Sequence, residues 1–136
     1  MKLLSIVLLL SFWACTNNNN AEKTYNEGAQ LYQKHCENCH MEDGKGLEAL
    51  YPPLAQSDML ESMGVGAACI IVNGLTGKVQ VNGTEYEMDM PPVKGLTPVE
   101  VTNIINYIHN AWGNKREFIQ LNEVQQVLKS CAPDKK

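Results

Sequence analysis

Residues 36–40 read CENCH. Two thiols stand three positions apart, and an imidazole follows the second at once. Side chains three apart share one face of a helical turn. Whatever these three groups hold is therefore pinned to one short piece of backbone, and the rest of the chain must fold around it. A Cys-x-x-Cys pair serves a zinc site or a redox dithiol, and with a following His it serves covalent haem attachment.

The surrounding sequence separates these chemistries. Structural zinc takes four ligands in clustered pairs, and no second Cys-x-x-Cys follows. Adjacent Cys39 and His40 also converge poorly on one small ion. A thioredoxin-type dithiol expects a strand before the motif and a βαβ context. Here a helical pattern precedes it, and the strand signal amounts to one hairpin. Haem fits each part: Cys36 and Cys39 reach the two vinyl groups on one porphyrin edge, and His40 lies under the iron as proximal ligand. One covalent haem c is the cofactor expected.

Such attachment takes place outside the cytoplasm, and the chain opens accordingly. "MKLLSIVLLLSFWAC" has Lys2, an apolar run from Leu3 to Leu10, then Cys15. The run is too short to span a bilayer and has the layout of a secretory signal. Phe12 stands where ordinary cleavage needs a small residue. The segment resembles a bacterial lipoprotein signal, which implies lipidation of Cys15 as the mature N-terminus. The alternative is a plain secretory signal or uncleaved anchor with Cys15 incidental. Residues 1–14 are thus assigned to the signal and 15–23, through "TNNNNAEK", to a polar tether with nothing to bury. The protein is expected at the periplasmic face of a membrane.

Residues 24–114 form the main domain in this reading, and 115–136 a C-terminal helical extension packed on it. Tyr25–His35 has Gly28, Leu31 and Tyr32 at helical spacing. "MEDGKGLEALYPPLAQ" is a loop broken by two glycines and Pro52-Pro53. A second helix is capped by Ser57 and closes at Gly74, with Gly64 and Gly66 as breakers. Asn82-Gly83 marks a hairpin. Thr97, Pro98 and Glu100 form a capping box on a helix with Val101, Ile104, Ile105, Ile108 and Trp112 along one face and Gly113 as its stop. A final helix has Asn122 as cap. The fold class is all-α: three to four helices wrapped, with long loops and a small hairpin, around one large cofactor. That cofactor accounts for connections otherwise too long for a compact helical domain.

"GAQLYQKHCENCH", "GKGLEALYPPLAQSD", "VNGTEYEMDMPP" and "LTPVEVTNIINYIHNAWGN" together resemble the class I single-haem bacterial cytochromes c, over about two-thirds of the chain. The resemblance implies that Gly28 and Tyr32 cross against Ile104 and Tyr107. It implies that the Pro52 carbonyl accepts a hydrogen bond from His40, which would fix its tautomer; Pro53 stays open as the acceptor. It also implies that Met90, which precedes Pro91, is the second axial ligand. Met88 lies on the same side of an extended chain, and His35 and His109 are the other candidates.

The function implied is one-electron transfer by a membrane-tethered carrier rather than an enzyme. It would act as a shuttle or as the electron-entry subunit of an oxidase, reductase or dehydrogenase chain. The alternative is a haem protein whose sixth ligand leaves, acting as a peroxidase or gas sensor. The formal charge of −4, with no Lys/Arg cluster, argues against nucleic acid and suggests a basic or apolar partner patch. Cys69 and Cys131 remain. An exported compartment permits their pairing, which would pin the last helix to the second; two separate buried thiols are the alternative.

Overall fold

The computed structural model describes residues 18–131; the signal segment and Cys15 lie outside the described residues. Helix α1 spans Asn18–His35 and runs into a single turn, Glu37–His40. A loop leads to α2 (Asp58–Met63), a 3₁₀ turn (Gly64–Gly66) and α3 (Ala67–Asn73). Strands β1 (Val79–Val81) and β2 (Thr84–Tyr86) precede α4 (Pro98–Ile108) and α5 (Leu121–Ser130). The architecture is all-α with one antiparallel hairpin, paired Val79↔Tyr86 and Val81↔Thr84. Asn82 and Gly83 both take positive φ in its turn, as a two-residue hairpin requires.

Helix α1 begins seven residues before the expected Tyr25 and takes up residues 18–23, which the sequence reading gives to the tether. Ala21, Glu22 and Lys23 favour helix, and Lys23 reaches Glu27 one turn on, at 3.7 Å. Polar residues on an exposed helical face leave no burial pattern, so composition alone reads as linker. The expected second helix is divided: Gly64 has φ 52°, which ends α2 at Met63.

Ser57 caps α2 by accepting from the Leu60 N–H, and Thr97 and Glu100 form the full box on α4 with Pro98 in its first turn. The helix α4 stops at Ile108 rather than at Gly113. The Asn114 amide donates to the Ile108 carbonyl at 2.7 Å, which satisfies a terminal acceptor that another turn would have used. Trp112 leaves the helix with φ 53°. The cap of α5 is Gln120, whose N–H donates to Glu123, and not Asn122.

Helices α1 and α4 meet backbone to backbone. A Cβ on Gly28 would collide with the Asn103 carbonyl and lie 2.7 Å from the Tyr107 Cβ. Tyr32 packs on Tyr107 (ring centroids 5.3 Å) and edge-on to Trp112 (5.0 Å). The core between α1, α3, α4 and α5 is built on Tyr32, Ala68, Ile71, Val101, Ile104, Ile105 and Val124. Cys69 and Cys131 are joined as a disulfide, Cα atoms 5.9 Å apart, which ties α5 to α3 as expected. Asn106 fastens the approach to α5, since its side chain both donates to and accepts from the backbone of Ile119.

Candidate functional site

The CENCH turn is an appendage of the α1–α4 crossing. The Cys36 N–H still donates to the Tyr32 carbonyl at 2.8 Å, and the His40 N–H closes one turn on Cys36 at 3.0 Å. The chain then reverses at Met41, φ 62°. Tyr32 donates its hydroxyl to the Met41 carbonyl at 2.6 Å, and Trp112 donates its indole N–H to the Glu42 carbonyl at 2.9 Å. The aromatic cluster thus holds the turn from below. Cys36 and Cys39 are free thiols on this turn. Burial, then the neighbouring Cys39, pushes the Cys36 thiol up to about 12, so it is neutral.

His40 is 8% exposed. Its Nδ1 donates to the Pro52 carbonyl at 2.9 Å. Burial lowers its pKa and the Pro52 bond opposes this; the ring is the neutral Nδ1–H tautomer, with the Nε2 lone pair free. Pro52, not Pro53, is the acceptor. Gly46 makes this possible: it sits at φ 69°, and a Cβ there would collide with the Tyr51 carbonyl and crowd Pro52. The loop folds back through the Leu47–Tyr51 bridge to bring Pro52 under the imidazole.

Met90 reaches the same cavity from a distant segment of the chain. It pairs with Leu75 through two backbone bonds, 2.8 and 2.9 Å, and the Val93 N–H donates to the Ile71 carbonyl. Cys36, His40, Pro52 and Met90 line one cavity, with about 590 Å³ of space free of protein atoms, part of it open to solvent. Its remaining walls come from Leu54, Ala67, Ile70, Ile71, Leu75, Ile104 and Ile108, together with Met59, Leu60 and Met63. Among the described residues, no charged side chain lines it. A flat apolar macrocycle fits this chemistry: the Cys36 thiol and the His40 imidazole on one wall, thioethers and otherwise hydrocarbon, with Cys39 at the adjoining cleft. Among the described residues, no three His, Cys, Asp or Glu converge as a metal site, so the zinc alternative has no ligand set.

The other candidates are placed elsewhere. Met88 is 50% exposed and lies beside Leu50 and Glu87. His109, at 1% exposure, is fully buried and faces a different cavity with Ser57, Glu61 and Arg116. Two residues that sequence reasoning passed over, Met59 and Met63, do line the cavity; α2 turns them inward, and nothing in their local sequence marks them.

An adjoining cleft shares Cys36, His40 and Met90 and opens outward past Cys39. Its rim carries Lys34, His35 and Lys94 and, among the described residues, no carboxylate. The mouth is therefore locally basic on a chain that is acidic overall.

A family model for cytochrome c matches residues 25–112. Cytochrome c-552 of Thermus thermophilus is 32% identical over 95 residues, covering 67% of this chain and 72% of that protein. The cytochrome c subunit of the alcohol dehydrogenase (quinone) of Gluconobacter oxydans is 26% identical over 110 residues. The fructose dehydrogenase cytochrome subunit of Gluconobacter japonicus is 29% identical over 118 residues. The chain covers 79% and 82% of itself in these two matches but only 23% and 24% of the subunits.

Proposed function

The chain belongs to the cytochrome c family, with the electron transfer and covalent haem c which that family carries, and on that premise we propose that it is a membrane-tethered one-electron carrier with His/Met axial ligation, and not an enzyme. Cys36 and Cys39 would hold the haem covalently. His40 and Met90 would be its axial ligands, and Pro52 would orient His40. When bound, haem supplies the one-electron couple of its iron.

The observation that carries this reading is the shared cavity: the CENCH turn and Met90 border one charge-free space. The protein's own part is then positional. The Pro52 carbonyl keeps the proton on Nδ1 of His40 and raises the donor strength of Nε2. The backbone bridge between Leu75 and Met90 holds the thioether on a fixed backbone. Hydrocarbon walls keep water out, and occupation on both sides leaves no open position for substrate. The basic mouth beside Cys39 is the route for electrons to an acidic partner. That partner would be an oxidase, reductase or dehydrogenase, with the chain either a shuttle or an entry subunit, as the names of the dehydrogenase cytochrome subunits suggest. Lipidation of Cys15 would keep it at a periplasm-facing membrane.

The test is a set of single variants of the holoprotein: Met90→Ala, Met88→Ala, Met59→Leu and Met63→Leu. The near-infrared sulfur-to-iron band of the oxidised protein should vanish only in Met90→Ala, and that variant alone should bind carbon monoxide readily. A band lost with Met59 or Met63 would move the ligand. Rapid carbon monoxide binding or peroxide turnover by the unaltered protein would favour the sensor or peroxidase reading instead.

A further inference from the structure

The tether and the fold together set which way the molecule faces. We propose that the end of the domain formed by the start of α1, the first turn of α4 and the start of α5 rests on the surface of a phospholipid bilayer. This inference rests on the lipidation of Cys15.

Only Thr16 and Asn17 separate Cys15 from Asn18, where α1 begins. Three Cα–Cα steps span at most about 11 Å. A lipidated Cys15 therefore holds the first turn of α1 within that distance of the headgroups, far closer than a nine-residue linker would. Beside this turn a groove runs between Asn20, Thr24, Val99, Phe118 and Leu121, with about 940 Å³ of open space. Apolar side chains stand out at its edges: Val99 is 49% exposed and Leu121 37%. Among the described residues, no charged side chain lines this groove, although 19% of the chain is charged. Exposed apolar residues at the edge of an uncharged groove mark a contact face, and side chains of this kind can enter the headgroup boundary by about 5–10 Å. The chain length to the anchor selects the bilayer as the occupant.

The consequence concerns electron exit. Lys34 and His35 of the basic mouth close the far end of α1, an 18-residue helix. Such a helix is about 27 Å long. With its first turn at the membrane, its last turn is kept away from the headgroups by up to that length, unless α1 lies flat. Val99 and Leu121 border the same groove as Asn20 and Thr24 of α1, so a face that includes them favours the raised arrangement. The mouth then faces protein partners in the aqueous phase rather than lipid.

The experiment uses the full lipidated holoprotein in phosphatidylcholine vesicles. Nitroxide labels are placed through Val99→Cys, Leu121→Cys and, as the comparison, Leu50→Cys. Power-saturation EPR with the haem reduced reads accessibility to oxygen against a water-soluble nickel chelate. The expected result is a higher oxygen-to-nickel ratio at 99 and 121 than at 50, present in vesicles and lost in detergent-free buffer after enzymatic removal of the anchor. Intact mass and flotation of the same samples report the anchor separately. Lipidated, floating protein with all three labels equally open to nickel overturns the orientation alone. Protein without lipid mass on Cys15 overturns the tether and the orientation with it, and leaves electron transfer untouched. Labels at 99 and 121 that are equally shielded without vesicles point to a second protein copy and also overturn the proposal.

Discussion

Removal of the Cys69–Cys131 disulfide gives the most quantitative test of how the C-terminal helix is integrated. The two cysteines are 62 residues apart. In the chain-entropy treatment, closing a loop of that size removes about 14 cal/mol/K from the unfolded ensemble, or about 4 kcal/mol at room temperature. The native state should change little. Val124 of α5 is fully buried, and Val127 and Leu128 pack on the core. Burial of one such side chain contributes about 1.5–3 kcal/mol. The Asn73 side chain also donates to the Cys131 carbonyl at 2.9 Å. The double variant Cys69→Ala/Cys131→Ala should therefore keep its far-ultraviolet circular dichroism. Its urea midpoint should fall by roughly 2 M, taking a slope near 2 kcal/mol per molar. The unaltered protein with this bridge reduced should match it. A shift below about 0.5 M, or a curve that splits into two steps, would refute the reasoning. Either result would mean that α5 leaves before the domain unfolds, so that the bridge never constrains the main transition.

Gly28→Ala should destabilise by about 1–3 kcal/mol in urea titration, because the added Cβ meets the Asn103 carbonyl across the α1–α4 crossing. His109 has its pKa lowered to about 4, first by burial and then by Arg116. Its neutral form belongs to the folded state, so stability is whole above about pH 6.5 and falls as pH drops toward 4. His109→Leu should flatten that part of the stability–pH profile, and an unchanged slope would remove His109 as its source. Lys34→Glu/Lys94→Glu should slow oxidation of the reduced holoprotein by ferricyanide at low salt, and added salt should narrow the difference; equal rates would deny the mouth its basic character. Gly46→Ala should push Pro52 from His40, weaken the imidazole as a donor and so raise the reduction potential, read by redox titration; an unchanged potential would deny the Pro52 bond that role.

The elements most legible in the sequence are those specified by local chemistry. Ser57 and the Thr97/Glu100 box announced their helices because capping is a contact between residues three apart. Asn82-Gly83 announced the hairpin for the same reason. The ends that sequence misplaced are settled from a distance. Gly113 reads as the stop of α4, but the stop is made when Asn114 folds back on Ile108. At α5, Asn122 is the better capping residue by type, yet Asn106 fixes the backbone at Ile119, and Gln120 is thereby left at the start of the helix. The polar run before Tyr25 became helix although it shows no apolar periodicity.

The candidate site divides along the same line. The CENCH spacing identifies its own turn, since all its geometry lies within five residues. The choice between Met88 and Met90 cannot be local: both point to one side of an extended chain, and both precede the same pair of prolines within a few positions. What separates them is Gly74. A Cβ there would lie 2.5 Å from the Met90 carbonyl and 3.0 Å from the Pro92 nitrogen. Its absence lets the segment lie against the end of α3, with Met90 paired to Leu75 beside the cavity, while Met88 falls beyond the pairing and out toward solvent. A side chain at Gly74, with φ 76°, would be strained as well as crowded. Gly74→Val should then displace Met90 without replacing it, and with Met90 as the proposed ligand the sulfur-to-iron band should weaken, as is expected of Met90→Ala. A Gly74→Val holoprotein with the band at full strength would show that the thioether is positioned by something other than this backbone contact.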